Sequence, residues 1–298
     1  MIISVVIPTS RRSAALKSAL ESCAAQALES HEAEILVVSN PPSQDACELV
    51  ESFPQAAGKP NFRYIAIDEI GANYARNAGI EESRGDIVQL LDDDCILPHA
   101  HYLLDILRLH DAAPAVSGLG GTYVDPDPAP LSCRFYNAMT EVWLRSNRTE
   151  SEAQLVLLGG NASYKRSVFD DGHLLDEALI YGGTETEFNH RLVAAGHRLE
   201  LRRELDVVHD FAGTWRSLFR RAWKQGAGKA TNPHSKFVLP QKDASARKAA
   251  LRELRRPRSL FAFALAAYYA TVQLSYRLRR RRSNSVPSLV SSAAVRES

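Results

Sequence analysis

Four short runs of apolar, largely β-branched residues, each followed by a segment of helix formers, constrain the first third of this chain more than any other feature. "IISVVIP" (2–8), "AEILVVSN" (33–40), "NFRYIAI" (61–67) and "DIVQLL" (86–91) are separated by "SAALKSALESCAAQAL", "QDACELVESF" and "GANYARNAGIEES". The runs are apolar on consecutive rather than alternate residues. A strand of that kind needs cover on both faces, and strand–helix alternation favours parallel pairing. The pattern predicts an α/β fold, a Rossmann-like sheet flanked by helices. In such sheets the ligand site lies outside the carboxyl ends of the strands.

The fourth run leads directly into Asp92, Asp93 and Asp94. Adjacent carboxylates repel, and an unpaired buried one is costly. Either the cluster is solvated or a cation sits there. On an extended segment Asp92 and Asp94 face one way and Asp93 the other, which makes Asp93 a structural residue. A D-x-D pair can hold a divalent ion that bridges phosphates. Other polar residues fall at the same sheet edge. Pro8 and Thr9 close the first run, Arg11 and Arg12 follow, and Asn40 closes the second. Asn73, Arg76 and Asn77 stand at the start of a helix, where backbone N–H groups favour anions. Each has a plain alternative: Asn40 as a turn former before Pro41, Arg76 as a surface helix charge.

The second half is less regular. "HAHYLLDILRLH" and "LSCRFYNAMTEVWLR" read as helices, and "AVSGLGGTYVDPDPAP" as a strand followed by a proline-rich loop. "TNPHSKFVLPQKDASARK" reads as a linker. After it, "SLFAFALAAYYATVQLSY" runs for 18 residues without a charge between "RRPR" and "RLRRRR".

Four stretches, "SVVIPTSRR", "GANYARNAGIEESRGDIVQLLDDDCILP", "LLGGNASYKRSVFDDGHLLDEALIYGGTETEFNHRLVAAGHRLEL" and "VVHDFAGT", occur in an order and spacing that resembles the family 2 glycosyltransferases of GT-A fold, over about residues 2–232. The resemblance implies a nucleotide-sugar donor, Mn2+ or Mg2+, and inverting transfer to an acceptor hydroxyl on a saccharide, lipid-linked or protein acceptor. The implied setting is cell-surface polysaccharide or glycolipid synthesis. Pro8, Thr9 and Arg11 would line the nucleotide pocket, and Asn40 stands where the family usually has an acid that contacts the base. Asn73, Arg76, Asp92 and Asp93 fall with the donor-binding residues, and Asp94 and Asp92 with the metal ligands. "GGTETEF" resembles the family's "GGEDTEF", which sets Glu185 at the catalytic base, with Thr184 in place of an acid. Glu187 is the alternate base, or else the i+4 partner of Arg191. His209 matches a position that completes the metal shell, its other reading being a structural histidine. Gly159, Gly160 and Asn161 would approach the donor sugar. Trp215, Arg220 and Arg221 would close over the diphosphate, unless Trp215 belongs to the core.

The net charge of +1 conceals an asymmetry: from Arg216 to Arg282 there are 18 Lys and Arg against Asp243 and Glu253. A basic tail on an acidic body calls for an anionic partner. The expectation is a domain over 1–232 and a basic, partly helical extension over 233–298. Residues 252–282 would lie in the plane of an anionic membrane, with Phe261, Phe263, Tyr268 and Tyr269 against lipid. The other reading is a helix packed on the body or on a second subunit. Cys23, Cys47, Cys95 and Cys133 lack C-x-x-C spacing, which fits a reducing compartment. The N-terminal apolar run is too short for a signal peptide, so "NRT" and "NAS" read as chance sequons. The expected location is cytoplasmic, peripheral at the inner face of the plasma membrane. Two other classes compete: a non-catalytic nucleotide-sugar binding or scaffold protein, given Thr184 and Asn40, and a nucleotidyltransferase, which would want a glycine in "TSRRSAAL". No G-x-G-x-x-G follows any strand, which disfavours a dinucleotide dehydrogenase, and no nucleic acid partner is expected.

Overall fold

The computed structural model describes residues 1–10, 13–54, 58–149, 153–179, 183–210, 213–231 and 259–284. The four sequence-predicted runs form β1 (Ile2–Thr9), β2 (Glu32–Ser39), β3 (Asn61–Ala66) and β4 (Ile87–Leu91), all parallel, in the order β3-β2-β1-β4. The sheet continues past β4 with β8 (Asn161–Lys165) and β6 (Gly118–Gly120), each antiparallel to its neighbour, and ends in β9 (Leu199–Leu201), parallel to β6. It is therefore a mixed seven-stranded sheet. A small second sheet sets β10 (Val207–His209) between β5 (Cys95–Ile96) and β7 (Tyr123–Val124).

The continuous apolar runs have the expected cause. Val5 and Ile7 of β1 point to one face, into a core shared with Leu16 and Leu20 of α1 (Ser13–Ala24), Val50 of α2 (Gln44–Glu51) and Ile106 of α4 (Tyr102–Ala112). Val6 points to the other face, against Ala75 and Ile80 of α3 (Ala72–Glu82), Val168 of α6 (Arg166–Asp170) and Phe188 of α7 (Thr184–Ala194). Burial on both sides leaves no room for polar alternation.

The edge of the sheet away from the aspartates is fastened by a buried carboxylate. Glu34 accepts hydrogen bonds from Ser4 Oγ (2.6 Å) and from Arg84 N (2.6 Å), and pairs with the Arg84 guanidinium at 3.2 Å. Burial alone would raise its pKa, but the Ser4 and Arg84 bonds outweigh it and hold the group below the usual range.

The last two helices lie against α5 (Leu131–Arg145). α8 (Trp215–Thr231) and α9 (Ser259–Asn284) bury Leu218, Ala222, Ala264, Tyr268 and Val272 with Phe135 and Met139 of α5. Gly226 is where the two helices touch: a Cβ there would come within 2.2 Å of the Val272 carbonyl oxygen. Ser275 Oγ donates to Trp223 O (2.7 Å) and Tyr268 Oη to Gln225 Oε1 (2.8 Å). The expected lipid-facing set is thereby split. Tyr268 is buried and Phe261 packs against the α5–α8 cluster, whereas Phe263 faces outward (74% exposed) and Tyr269 is 45% exposed. Among the described residues, no helix is long and apolar enough to cross a membrane. The expected linker after residue 231 lies outside the described residues.

His110 of α4 is buried, with Nε2 2.9 Å from Ser163 Oγ. Burial, and then the charge of Lys165, push its pKa down to about 4. The unfolded chain therefore takes up this proton first, and the stability it supports is present above pH 6.5 and lost as pH falls toward 4. The loss from this one group approaches about 3 kcal/mol. The His110→Asn variant, which has no titrating ring, should show a flatter profile of Tm against pH across that window; equal slopes would acquit His110.

Candidate active site

The carboxyl ends of β1, β2 and β4 converge with the start of β8 and the first turn of α7 on a cavity of about 600 Å³. Its walls include Pro8, Thr9, Asn40, Arg76 and Gly160, together with all three aspartates and Glu185. Sequence distances of more than a hundred residues close here because the strand order brings β8 beside β4.

The three carboxylates are separated by a turn, not by the pleat of an extended strand: Cys95 N donates to Asp92 O (3.1 Å). Each then meets a different counterpart. Asp92 Oδ1 takes a hydrogen bond from Arg76 Nη2 at 2.8 Å. Asp93 Oδ2 accepts from Thr9 Oγ1 at 2.7 Å, so this residue does not turn away but ties β1 to the aspartate turn from the cavity wall. Asp94 Oδ1 lies 3.5 Å from His209 Nε2, reached because Cys95 and His209 are cross-strand partners of β5 and β10. Burial would lower the pKa of Arg76, but Asp92 and then Glu185 more than offset it, and the guanidinium stays charged above its usual range.

His209 is oriented by residues on α5 and β7. Its Nδ1 is 2.7 Å from Asn137 Oδ1, and Asn137 Nδ2 donates to Asp125 Oδ1 (2.9 Å). With the amide nitrogen committed to a carboxylate, its oxygen faces the ring, so Nδ1 carries the proton and Nε2 is left to face Asp94. The ring of Tyr123 stacks on the imidazole at 4.1 Å between centroids. Ligand atoms of Asp94, Cys95 and His209 lie within 4.8 Å of one another. Asp92, expected in the metal shell, is outside that group and engaged by Arg76. Cys95 is a buried thiol whose pKa is raised by burial and then by Asp94.

Glu185 lines the cavity from the first turn of α7, and Thr184 Oγ1 donates to its Oε2 at 2.6 Å. The hydroxyl that replaces the expected acid thus holds the neighbouring carboxylate. Glu187 is taken up by Arg191, with Arg191 Nε at 3.1 Å and Nη2 at 3.0 Å, and does not line the cavity. Gly160 allows the closest approach, since a Cβ there would stand 2.3 Å from Asp92 Oδ2 and 2.6 Å from Tyr123 Oη.

Several expected residues lie elsewhere. Asn161, next to Gly160, faces the core, where its Oδ1 accepts from Tyr102 Oη (2.8 Å) and its Nδ2 donates to Leu205 O (2.7 Å). Asn73 is buried and donates to Asp176 O (2.7 Å), and Asn77 donates to Leu175 O; neither lines the cavity. Trp215 packs on Phe135, ring centroids 5.5 Å apart, in the α5–α8–α9 cluster. Arg220 is exposed, while Arg221 lies over Tyr136 at 4.9 Å and lines the cavity. Arg11 and Arg12 lie outside the described residues. Sequence reasoning missed Tyr123 and Asn137, which orient His209, and Lys224 and Lys229, which line the cavity from α8. Neither Asn137 nor the lysines carry a local signal; they matter only through neighbours far away in sequence.

Comparison with known proteins bears on the family and the fold. The description Glycosyl transferase family 2 matches residues 4–172. Glycosyltransferase AglE of Haloferax volcanii is 25% identical over 237 residues, covering 76% of this chain and 72% of that protein. Among solved structures, a mannosyltransferase from Pyrobaculum calidifontis, in complex with GDP-Man and Mn2+, superposes with a TM-score of 0.60 at 18% identity, over 96% of this chain and 87% of that one. S. aureus TarS 1-349 in complex with UDP gives 0.56 at 17%, over 93% and 92%. The mixed sheet with its flanking helices is the GT-A fold of these glycosyltransferases. The chain is a glycosyltransferase and belongs to Glycosyl transferase family 2.

Proposed function

We propose that this glycosyltransferase moves a sugar from a nucleotide-diphosphate sugar to a hydroxyl of a saccharide, lipid-linked or protein acceptor, with inversion, in cell-surface polysaccharide or glycolipid synthesis. The observation that carries the reading is the meeting of Thr9, Asn40, Arg76, the aspartate turn and Glu185 around one cavity. The solved complexes of related fold with GDP-Man and Mn2+, and with UDP, support it. Residues 1–232 would carry the transfer and 233–298 the attachment to a surface.

The donor set fits a divalent cation. A carboxylate oxygen and an imidazole nitrogen 3.5 Å apart, with the imidazole's other nitrogen bonded to Asn137, suit Mn2+ or Mg2+. Such an ion, when bound, would neutralise the diphosphate and stabilise it as a leaving group. Asp94 and His209 would hold it. Arg76 and Arg221 bring fixed positive charge to phosphate oxygens, and Asp92, aligned by Arg76, is set to accept from donor hydroxyls. Thr9 and Asn40 bound the nucleotide end. Glu185, aligned by Thr184, would take the proton of the acceptor hydroxyl as that oxygen attacks the anomeric carbon from the side opposite the diphosphate. Glu187 is a weaker choice because its carboxylate is spent on Arg191.

Attachment to an anionic membrane surface rests on α9, where exposed Phe263 and Leu274 share the helix with exposed Arg277, Arg279 and Arg280. Cytoplasmic location at the inner face of the plasma membrane follows from that reading.

Asp94→Ala should lower Mn2+-dependent donor turnover by about 100-fold or more with the circular dichroism spectrum unchanged; wild-type turnover would end the metal assignment. Glu185→Gln should cost about 10² to 10⁴ in kcat, with nucleotide affinity kept. Glu187→Gln should cost little activity and roughly 0.5 kcal/mol of stability; the reverse ranking would move the base. Pelleting with anionic vesicles should occur at low salt and weaken at high salt, and failure to pellet at low salt would remove the membrane from the proposal.

A further inference from the structure

The basic wall of the cavity is longer than a donor diphosphate requires. Arg221, Lys224, Gln225 and Lys229 all line it from α8, at the three- and four-residue spacing of a single helix stripe. Arg221 is tied toward the proposed ion site: it donates to Tyr136 Oη, and the Tyr136 ring is 5.5 Å from that of His209. From Arg221 to Lys229 the helix rises by about 12 Å. A diphosphate seated at Asp94 and His209 with Arg221 beside it does not extend along that row. The cavity is also lined by Trp143 of α5 and by Tyr268 and Tyr269 of α9. Tyr268 fixes Gln225 in the middle of the stripe through the 2.8 Å hydrogen bond between them. α8 carries no acidic residue.

We infer that Lys224 and Lys229 form a second anion subsite, one that binds a phosphate or pyrophosphate ester belonging to the acceptor, whose apolar or sugar portion lies on Trp143 and Tyr269. The inference rests on the glycosyl-transfer reading and names the substrate class for it. Lysine ammonium groups act as point charges for phosphate. Facing aromatic rings supply contact area for the uncharged portion at small entropic cost. The subsite gives the α8 cations a role apart from the acids that line the same cavity. The acids serve the ion and the attacking hydroxyl, the first cations serve the leaving group, and the lysines serve the molecule that receives the sugar. Exposed Phe263 and Leu274 on α9, the helix that supplies the tyrosines, favour an ester taken from a lipid surface over a soluble one.

The test uses the full chain with Mn2+ and whichever of GDP and UDP raises its Tm. Geranylgeranyl phosphate, geranylgeraniol and glycerol 3-phosphate are titrated separately by calorimetry, the lipids in neutral micelles. The lipid phosphate should bind at least tenfold tighter than the alcohol, and the Lys224→Gln/Lys229→Gln variant should lose that advantage. Glycerol 3-phosphate binding as tightly as the lipid phosphate, and losing affinity in the variant, would support the anion subsite and assign it to a soluble ester. Equal binding of phosphate and alcohol, or a variant that binds the phosphate like wild type, overturns the subsite. A variant that loses Mn2+-nucleotide affinity to the same degree assigns the lysines to the donor and likewise overturns it. If neither nucleotide raises the Tm of the wild type, the donor reading itself falls and the subsite with it. That outcome is distinct from nucleotide binding without lipid-phosphate binding, which refutes the subsite alone.

Discussion

Three carboxylates in a row at the end of a buried strand can be tolerated only if each has its own counterpart, and the surrounding structure is arranged to supply three. Arg76 comes from the helix after β3, Thr9 from the end of β1, and His209 from a strand more than a hundred residues later. Each partner arrives on a different element, so relieving the repulsion also fixes the mutual positions of β1, α3, β4 and β10. The same three contacts bring a guanidinium and a hydroxyl to one cavity, and set an imidazole behind the Asp94 carboxylate that lines it. Electrostatic accommodation and assembly of the site are a single structural event.

The parts that were legible in the sequence are those whose environment is set locally. β1 to β4 could be read because strands covered on both faces must be apolar throughout, and the helices between them because crossover connections need them. The i+4 pairing of Glu187 with Arg191 is likewise a matter of helix spacing alone. Elsewhere local reasoning misled. Alternation along a strand turned Asp93 away, but the chain had already left the strand at Asp92, and a turn obeys no period of two. Asn161 was read with Gly160 as a unit, yet Gly160 lies in the turn before β8 whereas Asn161 is the first residue of that strand, and its amide serves the Leu205 carbonyl instead. β6 and β9 have three residues each, too few to show a pattern.

The C-terminal helix presents a different limit. An apolar stripe beside arginines has the same sequence signature whether it covers lipid or another helix. α9 does the second along Ala264, Tyr268 and Val272 and leaves Phe263 and Leu274 on the outside. What decided between them was Gly226 on α8, a bare backbone position that admits close contact with α9 and gives no hydropathy signal at all. Because of that contact, two tyrosines that resembled membrane anchors became part of a cavity wall.

Helix α5 serves both His209 and the cavity. Asn137 orients His209, while Met139, Thr140 and Trp143, up to two turns on, line the cavity. A rigid helix cannot move one of these without the other. If His209 holds a cation as proposed, a ligand that displaces Trp143 would act on that hold through Asn137, and thermodynamic reciprocity would have the cation return the effect in equal measure. One stiff helix would then link the two.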